Sequence, residues 1–112
     1  MRASRPWAGW LLLSALICAQ LVLARGALAQ TAAGDRAAAQ ALFDHGVALR
    51  DRGRLGEACA KFDESLRLDP AVGTRFNLAD CLERTGKLAS SWSHFLEVVA
   101  ATEMAGQPER AE

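Results

Sequence analysis

The chain contains no tyrosine, and aromatic side chains make up only 6% of its 112 residues. After residue 29 the aromatics are four phenylalanines and a single tryptophan, Trp92. That supply is too thin for stacking on bases or sugars. Acidic residues are missing from the first 34 positions, since all 13 lie at or after Asp35. Three of the 13 basic residues (Arg2, Arg5 and Arg25) precede it, so residues 1–29 carry +3 and residues 30–112 carry −3. A mildly acidic body lacks the concentrated cationic face of a nucleic-acid binder, and no nucleic-acid partner is expected. β-branched residues are few and no segment alternates with period two, which argues against a sheet. There are only two histidines, His45 and His94, and no Cys-x-x-C, His-Glu-x-x-His, Gly-x-Ser-x-Gly or glycine-rich phosphate loop. No catalysis, metal or cofactor is therefore expected. The length allows one small domain.

What is abundant is apolar sequence near the N-terminus. Arg2 and Arg5 make a charged start, and Trp10 to Leu23 is an apolar run broken only by Ser14 and Gln20. Ala27-Leu28-Ala29 then offers small residues at the two positions a signal peptidase reads, with cleavage between Ala29 and Gln30. A charged start, an apolar stretch and an A-x-A-like end define a secretory signal over residues 1–29. The competing reading is a membrane anchor. A span needs about 20 apolar residues, whereas this run is shorter and gives way to Arg25 and Gly26. Cys18 follows the bulky Ile17, which disfavours lipid attachment, and the absence of an Arg-Arg pair points to the general secretion route. The expectation is an exported protein in an oxidising space, with retention by an uncleaved signal as the alternative.

The remainder reads as helices separated by glycine and proline. Residues 30–36 form a short polar linker, with Asp35 as N-cap. From Ala37 to Arg52 apolar residues recur at Ala38, Ala41, Leu42, Ala48 and Leu49, a helical spacing that Gly53 ends. Leu55–Leu68 is a second helix, stopped by Asp69-Pro70. Gly73 and Thr74 lead into a third, Arg75–Arg84, stopped by Gly86. Leu88–Met104 is the fourth, ended by Gly106. The predicted fold is all-α, two helical hairpins after an N-terminal signal helix.

The hairpins repeat. A shift of 33 places Phe43 on Phe76, Leu49 on Leu82, Gly53 on Gly86, Leu55 on Leu88, Phe62 on Phe95 and Glu64 on Glu97. A lone hairpin would leave an apolar face bare, and a second copy covers it.

These residues resemble the tetratricopeptide repeat, W-x2-L-G-x2-Y, then A-x3-F, then P. The first copy, residues 37–70, reads Leu42-x2-His45-Gly46-x2-Leu49, Ala58-x3-Phe62 and Pro70. The second, residues 72–105, reads Arg75-x2-Leu78-Ala79-x2-Leu82 and Ser91-x3-Phe95, with no closing proline and a spacing of 33 instead of 34. Glu57-Ala58-Cys59, Arg67-Leu68-Asp69-Pro70 and Asn77-Leu78-Ala79-Asp80-Cys81 also resemble phrases of exported repeat proteins from myxobacterium-like Gram-negative bacteria. The resemblance implies a short right-handed α-solenoid in which Gly46 and Ala58 let helices cross closely and Phe62 fills the space between. Stable arrays usually hold about three repeats and a capping helix. Residues 107–112 read as the first turn of a further helix, with Pro108 at its first position and Glu109 at its positive end. Either the product is truncated there, or a partner or second copy completes the domain.

The resemblance further implies a concave groove lined by the first helix of each hairpin. Its candidates are Gln40, Phe43, Asp44, Val47 and Arg50, with Phe76, Asn77, Asp80 and Arg84 from the second hairpin. Phe43 and Phe76 form either the apolar floor of a site for an extended peptide or partner helix, or part of the core. Carboxylate clamping of the chaperone-tail kind is disfavoured, since only Asn77 fits that pattern and Phe43 and Val47 replace its Lys and Asn. The mixed cluster Arg50, Asp51, Arg52 and Arg54 reads as a solvated helix end.

Cys59 and Cys81 fall on helices expected to pack side by side. In an exported protein they are a disulfide candidate, the alternative being two small buried apolar side chains. His45 and His94 read as ordinary structural residues, far apart and without a third ligand. The function expected is a non-catalytic adaptor or scaffold that binds another protein in the cell envelope. The alternative is a helical element that self-associates by stacking.

Overall fold

The computed structural model describes residues 7–106. It is all-helical, with four helices and no strand among the described residues: α1 (Trp7–Asp51), α2 (Leu55–Leu68), α3 (Val72–Arg84) and α4 (Leu88–Met104). The chain divides into two units, Met1–Gly34 and Asp35–Glu112. The charged start at Arg2 and Arg5 and the turn expected over 107–112 lie outside the described residues.

The first unit is the leading part of α1. Its side chains at Trp10, Leu13, Leu16, Ile17 and Leu21 are all exposed, as is the free thiol of Cys18. By length and composition α1 is the one described helix able to cross a membrane, with a mean hydropathy of 2.0 over its most apolar stretch. A signal sequence passes the same test as an anchor.

One expectation is corrected here. Residues 30–36 are not a linker and Asp35 is not an N-cap, because α1 runs through them unbroken. The cause is composition. Ala29, Ala32, Ala33 and Ala37–Ala39 are the strongest helix formers, and an isolated Gly34 costs only about 1 kcal/mol against them. No proline intervenes, and Thr31 returns its hydroxyl to the Leu28 carbonyl at 2.9 Å without interrupting the ladder.

The second unit is built on two glycine-ended turns with matching geometry. Gly53 takes φ +75° and Gly86 φ +80°, the left-handed region where a Cβ would clash. At the first, Arg54 N–H donates to the Leu49 carbonyl and Gly53 N–H to that of Arg50, both at 2.9 Å. At the second, Lys87 N–H donates to Leu82 and Gly86 N–H to Glu83, again at 2.9 Å. Each is a Schellman cap that satisfies two orphan carbonyls and reverses the chain. Corresponding residues are 33 apart, so the sequence repeat is also a repeat of local structure.

Between the hairpins Asp69 is extended, with φ −140° and ψ 104°, as steric pressure from Pro70 requires. Here α3 begins at Val72, three residues ahead of the expected Arg75. Pro70 alone is the punctuation, and Gly73 is tolerated inside the first turn.

The core joins α1, α2 and α3. Leu49, Ala58, Cys59, Phe62, Leu66, Leu78, Cys81 and Leu82 are buried together, with Phe43 and Val47 packed against them. Phe62 is wholly enclosed. Two hydroxyls cross between helices: Ser65 donates to the Ala39 carbonyl at 2.7 Å and Ser91 to that of Ala79 at 2.9 Å. Burying a hydroxyl without such a partner costs about 1–3 kcal/mol, and these two are satisfied. Cys59 and Cys81 form a disulfide joining α2 to α3, with Cα atoms 5.5 Å apart. The Cys81 sulfur also lies 3.2 Å from the Leu55 carbonyl oxygen, a packing contact, since a bonded sulfur carries no proton.

Candidate interaction surface

The nine groove candidates divide by helix and by burial. On α1, Gln40 and Asp44 are one turn apart and exposed, and the Gln40 amide donates to Asp44 Oδ1 at 2.9 Å. Arg50 reaches across to α3, where it donates to Asn77 Oδ1 at 2.9 Å while its Nε lies 3.3 Å from Asp51. Asn77 in turn donates to the Gly73 carbonyl. Asp80 and Arg84 pair along α3 at 3.7 Å. Arg50 and Asn77 thus tie the leading helices of the two hairpins together at their polar edge. Exposed pairs of the Asp80–Arg84 kind contribute about 0–1 kcal/mol and remain free to exchange partners.

The apolar candidates behave differently. Phe43 is half-buried, 5.5 Å from the Phe62 ring centroid, and Val47 lies against the same core. Both belong to the packing between α1 and α2. Phe76 packs edge-on to Phe95 at 5.7 Å, yet is 50% exposed. The two phenylalanines therefore occupy matching positions with unequal cover.

That inequality marks a feature the sequence reasoning missed. Beside Phe43 is a small cleft of about 50 Å³ whose lining includes Ala39, Ser65 and Asp69, together with Ala71 and Thr74 from the following hairpin. Thirty-three residues on, Val72, Phe76, Val98 and Thr102 line a cleft of about 300 Å³. The lining positions correspond one for one: Ala39 to Val72, Phe43 to Phe76, Ser65 to Val98 and Asp69 to Thr102. Among the described residues nothing takes the place of Ala71 and Thr74 over the second cleft. Along the same outer hairpin, Leu88, Trp92 and Leu96 are spaced by four on α4 and are 63%, 66% and 51% exposed. Spacing of four on a helix puts side chains on one stripe. The signal available in advance was the 33-residue shift applied to the buried positions.

Of the other polar residues, His94 sits between α3 and α4 with Nδ1 3.4 Å from Arg75, and Arg75 pairs with Glu97. His45 is exposed. Among the described residues no group of three His, Cys, Asp or Glu side chains converges as metal ligands would. No family model, curated protein or solved structure matches the chain.

Proposed function

We propose that the chain is an exported tetratricopeptide-type interaction module, a non-catalytic adaptor or scaffold in the cell envelope. The observation that carries this reading is the structural echo at 33 residues: paired Schellman caps at Gly53 and Gly86, paired aromatic contacts at Phe43–Phe62 and Phe76–Phe95, and paired clefts. A repeat of one supersecondary unit is how such arrays build an extended face. The Cys59–Cys81 bond suits an oxidising compartment, and the apolar leading part of α1 suits an export signal. On this reading the periplasm is the destination, with an uncleaved anchor as the alternative.

The partner segment lies along the α1/α3 edge, over Gln40, Asp44, Asp80 and Arg84, which pair along their own helices as Gln40–Asp44 and Asp80–Arg84. A photo-crosslinking side chain placed at Gln40 or Asp80 in living cells should trap a partner. The same group at Lys61, on α2, should not. Equal trapping from both, or none from Gln40 and Asp80, removes the groove reading. The exposed stripe on α4 favours a second reading, in which the domain self-associates by stacking.

A further inference from the structure

We propose that the open face of the second hairpin takes the leading helix of a second copy of this chain, head to tail. The proposal rests on the two-hairpin reading above but uses the ends of the pair, not its groove. The junction inside the chain supplies the template. There α3 closes the first hairpin, setting Ala71 and Thr74 over the Phe43 cleft and Cys81 and Thr85 against Cys59. Shifted by 33, the receiving positions become the Phe76 cleft and Trp92, which no described residue covers. Shifted back by 33, the covering positions become Ala38, Ala41, Ala48 and Arg52 on α1. Ala38, Ala41 and Arg52 are exposed and Ala48 is half-buried. The described residues thus carry both halves of the contact, small residues on α1 and, on α3 and α4, a cleft with a large aromatic beside it.

The chemistry of the two halves is complementary. Ala41 stands where Thr74 does, small enough to enter a cleft lined by Val72, Phe76 and Val98. Thr85 lies 4.0 Å from Cys59 within the chain; the corresponding pair between copies is Arg52 and Trp92, a guanidinium over an indole face, which is an attractive cation–π arrangement. A contact of this kind is heterologous, so it propagates into open chains or closes into a ring.

Sedimentation velocity on the full chain, purified as the cell processes it, tests the proposal over a concentration series. The expected result is a mass that rises with concentration, and a Trp92 emission that shifts to the blue as the indole leaves water. Trp92→Arg blocks the tail and Ala41→Arg blocks the head. Each variant alone should weaken association about tenfold or more, the loss expected of one buried anchor. Mixed in equal amounts they should form a one-to-one dimer and stop there, because one intact head and one intact tail remain. A chain that is monomeric at every concentration overturns the proposal. So does a pattern in which Trp92→Arg abolishes association while Ala41→Arg does not, which is the mark of two tails meeting. Both positions are exposed, and far-ultraviolet circular dichroism of each variant should match the parent. Failure of the hairpin pair itself shows separately, as loss of the cooperative melt in the parent chain.

Discussion

The ring of Phe62 lies where a side chain on residue 46 would have to go. A Cβ built on Gly46 would come within 2.8 Å of Cε1 of Phe62 and 2.9 Å of Cδ1. Phe62 is wholly enclosed and cannot swing aside. Overpacking of that kind costs about 1–3 kcal/mol, whereas replacing a helical glycine by alanine returns about 1 kcal/mol. Gly46→Ala should therefore lower the melting temperature. Gly56→Ala, also in a helix but with a Cβ that would meet nothing within 4 Å beyond its own helix backbone, should raise it. Phe62→Ala should cost about 3–5 kcal/mol, enough to unfold most of a domain this small. Thermal melts by circular dichroism of the three variants check the ordering. A Phe62→Ala protein that melts like the parent would mean the two helices do not meet at this ring.

Much of the helical frame was readable from single residues. The bounds of α2 and α4 coincide with expectation because Gly53, Gly86 and Asp69-Pro70 are punctuation with a steric cause. The bounds that moved had weaker marks. Gly34 beside alanines reads as a linker but does not break a helix, and Gly73-Thr74 reads as a turn although Pro70 had already ended α2. The helices that carry the polar groove candidates followed from periodicity, and the choice of those residues from the resemblance to the tetratricopeptide repeat. Whether Phe43 and Val47 face solvent or core was not decidable in that way. Their positions lie at the edge of the apolar stripe, and the choice depends on where Phe62 of the neighbouring helix arrives. The Phe76 cleft is a tertiary feature, visible only as unequal cover of equivalent positions.

The Cys59–Cys81 bond spans the boundary between the hairpins and encloses a sequence separation of 22. In the chain-entropy description a loop of this length gives about 3 kcal/mol, through restriction of the unfolded chain. Adding reductant, or the double change Cys59→Ala/Cys81→Ala, should lower the melting temperature by a comparable amount in either case. Mass spectrometry under non-reducing conditions should show the bonded form, lighter than the reduced chain by two hydrogen atoms. A melt indifferent to reductant would mean that packing of Leu78 and Leu82 alone holds the hairpins together.

The two glycine caps make a matched pair. Gly53→Ala and Gly86→Ala each place a Cβ in the left-handed region at φ +75° and +80°, where the penalty is about 1–2 kcal/mol per residue. A Cβ at either site would meet nothing within 4 Å beyond the adjacent residues, so the backbone term acts alone. The two losses should be similar, and asparagine, which tolerates this conformation, should restore part of each. Denaturant unfolding curves with unchanged slope would report the stability difference directly. Unequal losses would indicate that one turn frays before the domain unfolds.

The first buried residue along the described part of α1 is Ala39, and every core position follows it. Among the described residues up to Gly34 none is buried, and the contacts of residues 35–112 form a unit of their own. Removing the first 29 residues should then leave the hairpin pair intact. A chain beginning at Gln30 should remain helical and melt cooperatively, with the stub from Gln30 to Gly34 fraying as short exposed helix ends do. In the cell, replacing Ala27 and Ala29 by arginine should block processing and leave a product heavier by the leader, retained in the membrane fraction. N-terminal sequencing of the parent should begin at Gln30. A Gln30-initiated chain that fails to fold would assign the leading part of α1 a structural role, and an unprocessed parent in the membrane fraction would favour the anchor over the signal.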